Sequence, residues 1–337
     1  MTVLVGRHDA FFEHDTGTWH PEREARLTAV LAGIAGAEVA DDVVSFSPRE
    51  ALSHELERVH DAGYVDTLRE FCRSGGGHLD PDTVAVPASF EAALRGAGAG
   101  LEAAERLRAG EADAAFLAVR PPGHHALAGR AMGFCLFNNV AVTAAALAAE
   151  GERVLIVDWD AHHGNGTQAI FYESAEVCYV SLHQYPFYPG TGSAKETGAG
   201  PGAGTTVNIP MPGGSTGEVY RLAFDEVVTP AAEAHQPDWV LISAGFDAHR
   251  ADPLTDLGLS AGDFADLTTR TAALAPAGRR IAFLEGGYDL EALKQSVRAS
   301  VDALGGTLVH PEPVSRAGPA DELAGQVVAA VARLHFG

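Results

Sequence analysis

Short apolar runs recur along the chain, and each is followed by a polar loop and then by a segment with helical periodicity. We predict strands over residues 2–6, 114–119, 154–157, 177–181, 239–243 and 280–284. We predict helices over residues 22–35, 47–60, 61–73, 89–110, 139–149, 167–173, 218–235, 290–304 and 322–335, with another that begins at Ser260. Runs such as 154–157 are apolar throughout, which is typical of strands buried on both faces of a parallel sheet. The pattern predicts one α/β domain over residues 1–337, a predominantly parallel sheet flanked by helices, with its active site at the carboxyl ends of the strands.

Local signals set several of these helix boundaries. Ser47, with Pro48 next and Glu50 three residues later, has the form of a capping box and predicts a helix toward residue 60. Asp61 and Ser89 are the predicted caps of the next two helices. Residues 184–206 form a long loop rich in glycine and proline, and a loop of that length is usually functional.

The richest polar cluster follows the apolar run 154–157. Asp158, Asp160, His162 and His163 stand within six residues of one another. An extended chain places residues i and i+2 on the same side, so Asp160 and His162 are expected to converge. The alternative is a polar cluster that only caps the next helix. Four titratable side chains in so short a stretch favour a metal site.

Asp247, which follows the strand at 239–243, completes a candidate ligand set with Asp160 and His162. Two carboxylates and one imidazole leave a coordination position open, as in catalytic rather than structural zinc sites. Without a thiolate ligand, the same set could also hold Fe(II), Co(II) or Mn(II). His14 and His20 are interpreted as loop residues, because nothing near them in sequence completes a tetrahedral set.

Two further motifs carry groups that could transfer protons or stabilise charge. His124 and His125 follow the strand at 114–119 and are candidates for proton transfer, with Asp158 and Asn165 as the available orienting partners. Tyr288 follows two glycines at the end of the last strand, where its hydroxyl could face a developing oxyanion. The alternative for Tyr288 is a core aromatic residue, which the position after a strand end makes less favourable.

Composition limits the classes of partner. The net charge of −22, from 23 basic and 45 acidic residues, argues against binding of nucleic acid. The cysteines Cys72, Cys135 and Cys178 show no paired spacing, which favours a reducing compartment. No basic segment followed by an apolar one stands at the N-terminus, and no apolar run approaches the length of a membrane span. We therefore expect a cytoplasmic protein without a membrane partner, and the sequence leaves a homo-oligomer open.

Five ordered motifs resemble those of the histone deacetylase superfamily, in its class II-like and acetylpolyamine amidohydrolase branch. They are RPPGHHA at 120–126, GFCLFNN at 133–139, DWDAHHGNGT at 158–167, SAGFDAH at 243–249 and EGGY at 285–288. The resemblance extends over almost the whole chain. It implies an arginase-like α/β fold and zinc-dependent hydrolysis of N-acetyl amides.

The resemblance also implies roles for individual residues. The implied catalytic residues are the zinc ligands Asp160, His162 and Asp247, the pairs His124–Asp158 and His125–Asn165 with His125 as general base and acid, and the oxyanion donor Tyr288. The implied substrate contacts are Gly133, Phe134 and Tyr188 in an acyl-lysine tunnel, Asp82 at the substrate backbone and Leu254 at the entrance. A structural potassium ion is implied at the side chains of Asp158 and Ser181 and the carbonyls of Asp160, His162 and Leu182.

The leading functional hypothesis is removal of acetyl groups from lysine in proteins or peptides, and the alternative is deacetylation of acetylated polyamines or other small amines. Leu254 stands where one polyamine-selective branch carries a glutamate, which favours acyl-lysine. Gly164 and His249 stand where a dinuclear arginase-like site would need acids, so we expect one catalytic metal ion. A catalytically silent acyl-lysine binder is disfavoured, because every implied catalytic residue is present.

Overall fold

The computed structural model describes residues 1–337 and has one central sheet of eight strands. The strands are β1 (Val3–Gly6), β2 (Val43–Phe46), β3 (Gly77–His78), β4 (Val84–Ala85), β5 (Ala114–Leu117), β6 (Val154–Asp158), β7 (Val177–Gln184), β8 (Thr206–Met211), β9 (Trp239–Ala244) and β10 (Arg280–Leu284). The sheet order is β2-β1-β5-β10-β9-β6-β7-β8, and all its pairs are parallel, whereas β3 and β4 form a separate antiparallel pair. The predicted parallel α/β fold is confirmed.

Helices connect and cover the strands. They are α1 (Ala10–Glu13), α2 (Glu24–Ala35), α3 (Ser53–Leu56), α4 (Ala62–Arg73), α5 (Ser89–Arg108), α6 (Asn139–Ala149), α7 (Asn165–Phe171), α8 (Gly217–Ala223), α9 (Thr229–His235), α10 (Ala261–Ala272), α11 (Leu290–Leu304) and α12 (Asp321–Phe336). Every residue of β5, β6, β7 and β9 is buried, so helices protect both faces of the sheet. None of the helices is long and apolar enough to cross a membrane.

The strand order changes direction in the middle of the sheet, and this change determines where a site can form. After β5 the chain skips two positions to build β6, and β9 and β10 later fill the gap between β5 and β6. The loops that leave β5, β10, β9 and β6 therefore open at the same edge in the middle of the sheet. Ligands in parallel sheets bind at such a switch point.

The segment after Ser47 differs from the prediction, because no helix begins there. Residues 47–52 are irregular, and α3 begins only at Ser53. The Arg49 amide donates to the Glu102 carboxylate at 2.8 Å, and the Ala51 amide donates to the Leu94 carbonyl at 2.9 Å. These bonds fix the segment against α5, so tertiary contacts outweigh the local capping signal.

Other boundaries differ less. Ser89 is the first residue of α5 rather than its cap, and its hydroxyl accepts the Val86 amide instead. The edge strands β2 and β8 were not predicted, and α7 begins at Asn165 instead of residue 167. The predicted helix 218–235 is α8 and α9 joined by a π-helical turn, Phe224–Val228, which precedes Pro230. Proline has no amide hydrogen for the helical ladder, which accounts for the wider turn.

Candidate active site

Four loops from the middle of the sheet bring the candidate residues together. His124 and His125 follow β5, Asp160 and His162 follow β6, and Asp247 follows β9. The fourth loop begins with Glu285 at the end of β10 and ends with Tyr288. The chain separates these segments by up to 160 residues, and only the strand order makes them neighbours.

Asp160, His162 and Asp247 form a compact cluster whose ligand atoms all lie within 4.8 Å of one another. The His162 Nδ1 atom lies 3.2 Å from the Asp160 Oδ1 atom and 3.0 Å from the Asp247 Oδ2 atom. Backbone amides hold the second oxygen of each carboxylate: Gly286 donates to Asp160 at 2.7 Å, and Ala161 donates to Asp247 at 2.8 Å. One imidazole nitrogen carries at most one hydrogen, so it cannot fully satisfy two carboxylates.

The charges of this cluster fit a bound cation. Burial alone would favour neutral His162, but its hydrogen bonds with Asp160 and Asp247 raise its pKa to about 10. Burial opposes the charged form of Asp160 too, and yet the positive charges of His124 and His162 lower the pKa of that carboxyl. The two buried carboxylates of Asp160 and Asp247 therefore favour the protonated form of His162, and a divalent ion at the same three ligands would take the place of that proton. The donor set suits zinc or another first-row divalent metal.

His124 is joined to a buried carboxylate. Its Nδ1 atom lies 3.0 Å from the Asp158 Oδ2 atom, which also accepts the Tyr179 hydroxyl at 2.9 Å. Burial opposes the charge on His124, but the nearby carboxylates of Asp158, Asp160 and Glu285 raise its pKa to about 10. These carboxylates therefore favour the protonated form of His124.

His125 has a different environment although it is the next residue. Its Nδ1 atom lies 2.8 Å from the Asn165 side-chain oxygen, while the Asn165 amide nitrogen faces the Met132 sulfur at 3.4 Å. Burial, together with the positive charges of His124 and His162, lowers the pKa of His125 well below its usual value. An amide oxygen accepts a hydrogen, so Nδ1 carries the proton and Nε2 keeps a free lone pair. The neutral ring can therefore accept a proton.

The Tyr288 hydroxyl forms no hydrogen bond with the protein. Its ring centroid is 5.9 Å from that of Phe134, and the Arg26 guanidinium lies 5.0 Å from the same ring. The Tyr288 amide donates to the Asp252 carboxylate at 2.7 Å, and the other oxygen of Asp252 accepts the Leu254 amide at 2.9 Å. Asp252, which was not predicted, thus fixes Tyr288 and Leu254 together.

Aromatic rings enclose the approach to the metal cluster. The Tyr188 ring lies 5.3 Å from His125, edge on, and the ring of Phe187, which was not predicted, lies 5.3 Å from His162. Phe134 has a φ angle of +68°, a strained value for a residue with a side chain. Gly133 precedes it at a φ angle of +56°, and a Cβ atom there would overlap the His125 ring. The local sequence therefore needs glycine at this point.

The other predicted residues are adjacent to the site or beneath it. Asp82 is half-buried beside Asp80, and burial, followed by the hydrogen bond and the charge of Asp80, raises its pKa. Asp158 and Ser181 are register partners in β6 and β7, but the Ser181 hydroxyl already bonds His183 at 2.8 Å and Asp158 bonds His124. The adjacency of Asp158 and Ser181 is the one observation that bears on a potassium site. The site, which would include the Leu182 carbonyl, stays a prediction.

A buried ionic network beneath the site was missed by sequence reasoning. The Glu22 carboxylate accepts hydrogen bonds from Arg120 at 2.9 Å and from Arg26 at 3.0 Å, and all three side chains are fully buried. Arg26 also donates to the Glu285 and Gly287 carbonyls, and so it fixes the loop that carries Tyr288. The Glu285 carboxylate accepts the Gly123 amide at 2.7 Å and the His124 amide at 3.2 Å, which joins two of the four loops.

Comparison with known proteins defines the class. Residues 20–304 match the family model of the histone deacetylase domain, so the chain belongs to the histone deacetylase family and is a hydrolytic deacetylase. It is 40% identical to a probable deacetylase of Archaeoglobus fulgidus over 297 residues, covering 86% of this chain and 82% of that one. It is 40% identical to the histone deacetylase-like amidohydrolase of Pseudomonas aeruginosa over 274 residues, covering 80% and 71%.

A solved structure agrees with these sequence relatives. The crystal structure of the HDA15 HD domain matches with a TM-score of 0.90 and 38% identity, covering 99% of this chain and 94% of that one. Histone deacetylase 15 of Arabidopsis thaliana is 42% identical over 291 residues, and this chain spans 52% of its length. The predicted family and fold are therefore confirmed.

Proposed function

We propose that this protein is a zinc-dependent amidohydrolase that removes acetyl groups from the Nε atom of lysine in proteins or peptides. The observation that carries the proposal is the convergence of Asp160, His162 and Asp247 beside two histidines of opposite character. A zinc ion held by these three residues would activate water and polarise the amide carbonyl. Proton transfer and stabilisation of the oxyanion would be carried out by side chains of the protein.

His125 is suited to move the proton of the reaction. Its neutral ring, held by Asn165, keeps Nε2 free to take a proton from the attacking water and to return it to the leaving lysine amine. His124, held as a cation by Asp158, contributes positive charge next to the reacting carbonyl. The two histidines thus divide the roles of base and electrostatic stabiliser.

Tyr288 is suited to donate to the oxyanion. Its hydroxyl has no competing protein acceptor, and the Asp252 carboxylate and the Arg26 guanidinium hold its backbone and ring. A donor fixed in advance stabilises charge as it develops, without a cost of reorganisation. This scheme uses a single metal ion. His249 offers no free nitrogen to a second one, because its ring nitrogens are occupied by Glu312 at 2.7 Å and by the Ala251 amide at 3.1 Å.

The approach to the cluster supports an acyl-lysine substrate. Phe134, Tyr188 and the newly identified Phe187 provide an aromatic passage suited to the aliphatic part of a lysine side chain. Leu254 at the rim is 37% exposed and offers no charge to a second amine. Acetylated polyamines remain the second candidate, since the carboxylates of Asp80 and Asp82 lie nearby and the net charge is −22.

The test is a comparison of kcat/KM for an acetyl-lysine peptide and an N-acetylated diamine with the zinc-loaded protein. We expect a clear preference for the peptide. A clear preference for the diamine would overturn the choice of substrate while leaving the chemistry intact. Absence of turnover with both, at full metal occupancy, would contradict the proposed acetyl-lysine activity. Peptides with longer acyl chains would then be the next substrates.

A further inference from the structure

Trp19 is the most exposed large apolar side chain of the protein. Its indole is 97% exposed, whereas Trp159 and Trp239 are completely buried. Full exposure means that Trp19 contributes no buried apolar area to folding. A large aromatic residue in water is instead typical of a surface that meets a ligand.

The loop that carries Trp19 is held on both sides. The Gly17 amide donates to the Asp15 carboxylate at 2.9 Å, and Arg23 donates to the Thr18 carbonyl at 2.9 Å. The ring nitrogens of His20 lie 2.9 Å from the carbonyl oxygens of Glu22 and Asp82. The indole is therefore presented on an anchored turn, and the loop would lose little conformational freedom when a ligand binds there.

This surface is continuous with the proposed tunnel. Trp19 borders an open cavity of about 520 Å³ whose lining also includes Pro21, Pro81, Asp82 and Phe134. Phe134 belongs to the aromatic passage as well, and its ring centroid lies 4.7 Å from that of His20. A peptide that inserts an acetyl-lysine would therefore extend its neighbouring residues across this cavity.

The charge next to Trp19 favours a cation. Asp82 lines the same cavity as Trp19, and Asp80 beside it accepts the backbone amides of Asp82 and Thr83. The one guanidinium on the Trp19 loop, that of Arg23, is engaged with the Thr18 carbonyl. An indole face and a carboxylate that line one open cavity suit a lysine or arginine side chain, through cation–π and charge attraction.

We propose that Trp19, together with Asp82, forms a second subsite that binds a lysine or arginine side chain close in sequence to the acetyl-lysine. The inference rests on the proposed acyl-lysine activity and specifies its substrate class as basic peptide segments. Trp19 is then a specificity residue that touches the substrate but not the reacting atoms. Its contribution appears in kcat/KM for peptides with basic neighbours.

The experiment uses four substrates with the zinc-loaded protein: blocked acetyl-lysine amide and three peptides that differ only in carrying arginine, leucine or glutamate on both sides of the acetyl-lysine. We expect the wild type to prefer the arginine peptide. We expect Trp19→Leu to lower kcat/KM for that peptide about two- to five-fold, as for an exposed cation–π contact. The blocked amide should be unaffected. Leu334→Ala, at a side chain 54% exposed on α12, is the matched control and should change nothing.

Two results would overturn the proposal: an equal loss with all four substrates, or an unchanged preference in Trp19→Leu. A second readout does not require turnover. Because Trp159 and Trp239 are buried, acrylamide quenching of fluorescence reports mainly on Trp19. The arginine peptide should protect Trp19 and the glutamate peptide should not. Absence of turnover with every acetyl-lysine substrate would contradict the proposed function, whereas absence of protection would contradict the subsite.

Discussion

Replacement of Glu22 by glutamine tests the buried network beneath the site. Glu22 is completely buried and accepts hydrogen bonds from Arg120 and Arg26. Burial opposes its charge, but the two guanidinium groups lower its pKa from 4.5 to about 2. That difference corresponds to about 3 kcal/mol of stability at neutral pH, close to the 3–5 kcal/mol typical for breaking a buried ion pair.

The pH dependence follows from the lowered pKa. The unfolded chain takes up a proton on Glu22 at a higher pH than the folded protein does, so this stabilisation is complete above about pH 4.5 and is lost as the pH falls toward 2. Glutamine does not titrate. The difference in unfolding free energy between wild type and Glu22→Gln should be about 3 kcal/mol at pH 7 and about half of that near pH 3.

Urea denaturation followed by circular dichroism measures this difference. It should be done with excess chelator, because metal release depends on pH as well. Glu91→Gln is the matched control: this carboxylate is exposed, pairs with Arg95 at 2.9 Å, and should change stability by less than about 0.5 kcal/mol. A difference for Glu22→Gln that is equally large at pH 3 and pH 7 would refute the electrostatic explanation.

Three further substitutions address the site. Tyr288→Phe should keep the fold and the metal content but lower kcat about 10²–10³-fold, since one oxyanion donor is lost; unimpaired turnover would refute the role. Asp247→Ala should lose both metal, by elemental analysis, and activity, because one of three ligands is removed; a metal-loaded and active variant would mean that the ligand set is wrong. Leu254→Glu should raise kcat/KM for an acetylated diamine relative to the peptide, because a rim carboxylate attracts the second amine; an unchanged ratio would exclude Leu254 from the entrance.

The sequence predicts the centre of the fold better than its edges. The strand at 280–284 and the helix at 290–304 have the predicted bounds, because each is a strong local pattern bounded by polar residues. The edge strand β2 has four residues, of which only Phe46 is buried, so it offers no alternating pattern to recognise. The helix predicted at Ser47 fails because Arg49 bonds to Glu102, a residue 53 positions away.

In the candidate site, too, some residues could be predicted from the sequence and others could not. His124, His125, Asp160 and His162 are recognisable because their residue types follow strands at metal-binding and proton-transfer spacings. The supporting contacts of Glu22 and Asp252 join distant parts of the chain and have no local pattern. The exposure of Trp19 is likewise a property of the folded surface.

The central claim is that one metal ion at Asp160, His162 and Asp247 supports hydrolysis of acetyl-lysine. The most direct test is to titrate zinc into metal-free protein and to measure acetate released from an acetyl-lysine peptide. We expect activity to be absent without metal, to rise with added zinc and to stop rising at one equivalent per chain. Full activity without metal, or a rise that continues to two equivalents, would contradict the central claim.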